Sequence, residues 1–215
     1  MRLISINVGL PREIVWRDTT VTTGIFKQPV EGPVMVRTLN LDGDRQADLS
    51  VHGGVDKAIY AYPGEHYGYW RGELENTELP WGMFGENFTV EGLHEDSVYI
   101  GDRYGIGDVE VAVTQPRLPC YKLGARFGRA DFVKRFLASR RTGFYFSVRK
   151  EGLAQAGDAI QLLDRPQTRI SVSDITRVYA FEKDDLDTIR EALRVEALPE
   201  SWRSYFQHQL EKRAG

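Results

Sequence analysis

The sequence predicts a mostly β fold with some α: a β-barrel or closed sandwich followed by a small C-terminal three-helix unit. Three observations carry this. Short apolar runs recur along the first three-quarters of the chain, separated by Gly, Pro and Asp. Val109, Val111 and Val113 alternate with Glu110, Ala112 and Thr114, the period of a half-buried strand. Near Arg165-Pro166 the pattern changes, and apolar residues then fall at helical spacing. The boundary divides the chain into a β domain, 1–165, and a helical unit, 166–215.

In order, strands are expected over 3–8, 34–36, 57–62, 87–90, 109–114, 144–148 and 159–163, with 102–108 as a turn-rich connection. Two helices interrupt them. One is expected over 65–74, after Pro63-Gly64, and one over 131–140, where Phe132, Val133, Phe136 and Leu137 form an apolar stripe. Beyond Asp174 the chain reads helical. Leu186, Ile189 and Leu193 lie at helical spacing behind Asp184, Asp185 and Asp187, which suit a helix start. After Leu198-Pro199 a last helix carries Trp202, Tyr205, Phe206 and Leu210 on one face. About 50 residues of helix are too few to be stable without docking on a larger core or a second subunit.

With 215 residues and 41% hydrophobic content the chain can bury a full core. Its net charge of −3 gives no general attraction to nucleic acid or anionic lipid. The start, MRLISINVGL, does not read as a signal peptide, and no apolar run approaches the ~20 residues of a bilayer span. The single cysteine cannot form an intrachain disulfide, so a reducing, cytoplasmic setting is expected.

Three clusters carry chemistry. In the first, His52-Gly53-Gly54 can bring backbone N–H groups close to a ligand, and Lys57 can add a point charge for a phosphate; a polar turn feeding a strand would look the same. In the second, Gly85-Glu86-Asn87, the Asn87 amide can read the edge of a heterocycle, or simply start a strand. In the third, Pro116-Arg117-Leu118-Pro119-Cys120-Tyr121-Lys122, two prolines stiffen a loop and two cations flank the thiol. Cations favour the thiolate, which ligates soft metals. The four histidines lack zinc-like spacing and there is no CxxC, so any metal would be held mostly by a group other than the protein.

Taken in this order, with Asp44-Arg45-Gln46-Ala47-Asp48 before them and Glu151-Gly152-Leu153-Ala154 after them, the clusters resemble the MOSC domain, more narrowly its YiiM-like branch. Residues 172–210 resemble that branch's three-helix extension, and Val55 stands where the family commonly has Pro. The resemblance implies a MOSC-type β-barrel that binds the molybdenum cofactor (molybdopterin). It implies Cys120 as the catalytic protein thiolate on molybdenum, and His52, Lys57, Asn87, Arg117 and Lys122 as cofactor-binding residues. The family also carries an association with pyridoxal phosphate. The implied activity is reduction of N-hydroxylated small molecules, including hydroxylaminopurines and amidoxime-like compounds, which detoxifies base analogues. No flavin, haem or iron–sulfur motif is present, so a separate flavin-dependent reductase is the implied electron donor.

Two other readings compete. Cys120 could carry a persulfide as a sulfur-transfer module, although no desulfurase domain is fused to it, or the chain could bind cofactor without reducing anything. The helical tail could instead bind nucleic acid, but 173–215 mixes acids and bases and lacks a basic stripe, so its aromatic face is better read as a seam to the barrel or to a homodimer mate.

Overall fold

The computed structural model describes residues 1–47 and 53–214. Its strands are β1 (Arg2–Val8), β2 (Arg12–Trp16), β3 (Thr19–Thr23), β4 (Gln28–Val30), β5 (Val34–Val36), β6 (Ile59–Pro63), β7 (Phe88–Glu91), β8 (Arg103–Ile106), β9 (Val109–Pro116), β10 (Phe144–Lys150), β11 (Gly152–Ala154) and β12 (Ile160–Asp164). The helices are α1 (His66–Glu73), α2 (Tyr121–Phe127), α3 (Phe132–Ala138), α4 (Val172–Ala180), α5 (Leu186–Ala192) and α6 (Glu200–Ala214).

Eight strands form one sheet in the order β12-β8-β9-β10-β6-β7-β1-β4. Its ladders are antiparallel except β6 with β7, which run parallel. A parallel pair needs a crossover, and α1 lies in it. Arg2 bridges Ala159, Leu3 N donates to Asp158 O (2.9 Å), and Ile160 N donates to Met1 O (3.0 Å). These bonds stitch the start of β1 to the approach of β12. The expected barrel takes the form of a curled sheet joined at this point by a bridge; no ladder closes it among the described residues.

Several elements lay outside the sequence expectation. The β2–β3 hairpin is one, its register running from Arg12↔Thr23 to Trp16↔Thr19. It is largely exposed, so no buried stripe marks it. The expected connection at 102–108 contains β8, where Tyr104 and Ile106 are buried. The expected strand over 57–62 begins later, because residues Val55–Lys57 form a 3-10 turn. Cys120, expected within a loop, sits where that loop becomes α2.

Two apolar cores lie on either side of β6. Ile59 and Ala61 belong to the sheet's inner core, while Tyr60 and Tyr62 join an aromatic core with Trp70, Phe84, Phe132 and Phe136. Alternation along the strand separates the two sets. The tail joins the inner core through Val172, Ile175, Ile189, Trp202 and Phe206. Arg165 marks the junction, donating to fully buried Asp102 through Nε (2.8 Å) and Nη2 (2.7 Å). No helix among the described residues is long and apolar enough to cross a membrane.

Candidate functional site

Beyond the end of β9 the chain runs through Arg117, Leu118 and Cys120 along the wall of a cleft with about 660 Å³ of empty space. The turn before β6 supplies Lys57, the loop before β7 supplies Gly85 and Asn87, α2 supplies Lys122 and β10 supplies Tyr145. Five basic side chains line it — Lys27, Arg45, Lys57, Arg117 and Lys122 — and no Asp or Glu does among the described residues. A chain with net charge −3 has gathered cations here.

The lining is held from behind. Thr114 Oγ1 (2.7 Å) and Gln115 Nε2 (3.2 Å) both donate to Asp56 O, and Gln46 Nε2 donates to Lys57 O (3.3 Å). These bonds pin the turn that carries Lys57. Burial pushes the Lys57 pKa down, with Asp56 opposing. Gly85 has φ +85°, and a Cβ there would lie 2.7 Å from Ile25 Cγ1, so only glycine fits this close approach. Glu86, wholly buried, organises the same loop by accepting from Gly82 N (2.8 Å), Phe84 N (3.1 Å), Thr89 Oγ1 (3.0 Å) and the Tyr67 hydroxyl. Burial nonetheless pushes its carboxyl pKa up.

Asn87 lines the cleft, but its amide is engaged with protein. Its Oδ1 accepts from Tyr60 N (3.1 Å), and its Nδ2 donates to Asp44 Oδ2 (2.9 Å) and, more weakly, to Asn7 O (3.4 Å). Asp44 also accepts from Gly9 N (2.9 Å) and pairs with buried Lys27, whose pKa burial lowers despite that partner. In this structure Asn87 positions the wall formed by β6 and Asp44.

Arg117 is 5% exposed and lies between Tyr60 and Phe136, 5.2 and 5.1 Å from their ring centroids. Burial penalises its charge, yet Tyr60, Tyr145 and the Cys120 thiol outweigh this and raise its pKa. Its Nη1 is buried and has no hydrogen-bond acceptor among the described residues. Leaving such a donor unmet costs about 1–3 kcal/mol, which a bound anion would relieve. Burial also raises the pKa of Tyr145, with Arg117 opposing by charge and by a hydrogen bond and Cys120 reinforcing.

The fold thus brings Lys57, Asn87, Arg117, Cys120 and Lys122 to one cleft. His52 lies outside the described residues. Sequence reasoning did not assign Lys27, Asp44, Tyr60 or Tyr145 to the site. Asp44 stood inside a quoted motif and Tyr60 and Tyr145 inside expected strands, whereas Lys27 had no local signal and is recruited only by the β3–β4 connection.

Residues 48–161 match the MOSC domain, and residues 170–213 match the YiiM-like, 3-alpha helix domain. YflK of Bacillus subtilis (strain 168) is 41% identical over 204 residues, covering 95% of this chain and 92% of that one. A protein of Gibberella moniliformis (strain M3125 / FGSC 7600) named Reductase is 35% identical over 178 residues, 81% of this chain but 32% of that protein. The crystal structure of YiiM from Geobacillus stearothermophilus superposes with a TM-score of 0.82 at 36% identity, covering 97% of this chain and 98% of that one.

Proposed function

Because the chain belongs to the MOSC domain family and carries the YiiM-like 3-alpha helix domain, we propose that it is a molybdenum-cofactor-dependent reductase of N-hydroxylated compounds such as hydroxylaminopurines and amidoximes. One observation carries the reading: a lone thiol, Cys120, in the wall of a cleft lined by five basic side chains and no carboxylate among the described residues. The residues fit the group. An anionic pterin with a terminal phosphate suits that lining, the unmet Arg117 Nη1 offers it a buried donor, and a thiolate suits a soft or high-valent metal. Few protein ligands are needed when a dithiolene holds the metal, and no cluster of three or more His, Cys, Asp or Glu competes among the described residues.

In this reading Lys57, Arg117 and Lys122 hold the anionic groups, Asn87 keeps the wall in place, and Cys120 ligates molybdenum. When bound, the cofactor supplies a two-electron centre able to cleave an N–O bond. The balanced reaction takes R–NHOH, two electrons and two protons to R–NH2 and water. The chain's part is to orient the reactants, exclude water with Tyr60, Leu118 and Tyr145, and hold the Tyr145 hydroxyl beside the cationic Arg117. A separate flavin-dependent reductase is the proposed electron donor, the cytoplasm the proposed setting and a homodimer the proposed assembly. A relative of which the matched region makes up 32% is named Reductase, which is in keeping with a redox setting for this chain.

The test is elemental and pterin analysis of protein from a host that makes the cofactor, followed by N-hydroxy reduction with a chemical reductant. About one molybdenum per chain with turnover is expected. Cofactor-free protein bearing cyanide-labile sulfur on Cys120 would overturn the reductase in favour of a sulfur carrier.

A further inference from the structure

The thiol wall has a second side. Lys57, Leu118, Cys120 and Tyr145 line the basic cleft and also a neighbouring cleft of about 910 Å³. There the facing residues come from the helical tail: Tyr179 of α4, and Ser201, Trp202 and Tyr205 of α6. Lys57 is the only charged side chain among its described lining residues. One side is thus built for an anion and the other for an uncharged aromatic body.

Docking the tail does not require all of these aromatics. Phe206 is fully buried and Trp202 is 6% exposed, so these two form the centre of the seam, against which Tyr179 and Tyr205 pack only in part. Tyr179 and Tyr205 stay partly exposed and line the cleft. Their rings are already arranged, with Tyr179 5.1 Å from both Trp202 and Tyr205. The frame behind them is fixed. Trp202 Nε1 donates to Gln115 Oε1 (2.8 Å), and Gln115 Nε2 donates to Asp56 O (3.2 Å). An indole N–H only donates and a peptide carbonyl only accepts, so the two partners dictate the amide's orientation. One residue therefore ties the tail to the turn that carries Lys57.

We propose that this second cleft is the substrate chamber, in which Tyr179 and Tyr205 of the helical tail seat a flat aromatic ring so that its N-hydroxy group meets the shared wall at Cys120. The proposal rests on the reductase reading for the reaction, but not for the binding site itself. Clefts with a mostly apolar lining and few polar groups are typical of small-molecule sites. Aromatic faces select planar rings over aliphatic chains through stacking and edge contacts.

The test compares benzamidoxime with its aliphatic counterpart, acetamidoxime, on the full-length protein loaded with cofactor. Calorimetry gives affinity, and turnover gives the ratio of kcat/KM for the two. Tyr205→Leu and Tyr179→Leu keep apolar bulk while removing the ring, and Tyr205→Phe keeps the ring. The leucine variants should raise the benzamidoxime Kd about tenfold and lower the kcat/KM ratio similarly, while Tyr205→Phe retains both. Leucine variants that melt like wild type and leave Kd and ratio within about twofold would overturn the chamber. Turnover with unchanged selectivity in every variant would sink the chamber and leave the reductase standing. Benzamidoxime binding that disappears in Tyr205→Leu, in a protein that never turns over, would support the chamber and sink the reductase.

Discussion

Arg117 combines near-complete burial, two aromatic neighbours and a donor nitrogen without an acceptor among the described residues. A guanidinium tolerates this because its charge is delocalised and weakly hydrated, where a lysine ammonium would lose more by desolvation. Lys57, on a pinned turn, is depressed in pKa by burial and so gains more from an anionic partner than a solvated lysine would. Lys57→Ala should weaken cofactor retention by roughly ten- to a hundred-fold, since charge-assisted contacts contribute about 1.5–3 kcal/mol each. Pterin content after gel filtration checks this, and unchanged content removes Lys57 from the site. Cys120→Ala should abolish N-hydroxy reduction while the melting temperature stays close to wild type, because the thiol is only partly buried and lines two clefts rather than a core. Wild-type turnover by that variant at full molybdenum content would refute the ligand assignment.

Short elements position these side chains, and their ends are capped by the sequence itself. The Ser171 side chain accepts from Asp174 N, and Asp174 returns the bond to Ser171 N, a capping box that starts α4. Asp185 caps α5, accepting from the Thr188 hydroxyl (2.7 Å) and amide (3.1 Å), with Arg177 beside it (2.8 Å). The Thr188 bonds, then Arg177, draw its carboxyl down to about 2. A depressed carboxylate contributes stability above its unfolded pKa and loses it as pH falls through the folded value. Asp185→Asn should therefore lose less melting temperature than wild type as pH drops from about 4 towards about 2. Parallel acid melting curves for the two proteins would contradict the assignment.

At the scale of the whole molecule, the tail completes the sheet's core. Ile175, Ile189, Trp202 and Phe206 pack in the same cluster as strand residues such as Val111 and Phe146. Each large side chain buried this way contributes roughly 1.5–3 kcal/mol. Truncation after Arg165 should lower the melting temperature by more than about 10 °C, since a protein of this size shifts by about 2–4 °C per kcal/mol. It should also remove the aromatic cleft while leaving the basic cleft, whose described lining lies before that residue. A truncated protein with the full melting temperature would mean that the tail is an independent unit.

What the sequence determined by itself was the material of each element and the chemistry of the motifs. Period-two alternation marked β9, although the structure buries both faces of that strand, with Ala112 and Thr114 as buried as Val111 and Val113, and period-3.6 stripes marked α5 and α6, because burial of one helix face imposes that spacing locally. Glycine and proline punctuation set Gly85 and Cys120 apart, because backbone freedom and rigidity are properties of single residues. Tertiary structure decided which of these meet. The parallel pairing of β6 with β7 carries Tyr60 to Asn87, and the turn before β6 is pinned to β9 beside Cys120. Gln115 links a turn near residue 56 to a tryptophan at 202. Lys27 enters the cleft with no local mark, and the β2–β3 hairpin forms without a buried stripe. These are contacts between residues distant in the chain, fixed by sheet order and by the meeting of two cores. Hydrophobic burial is non-directional, so a local pattern tells which face is buried and not which distant face covers it.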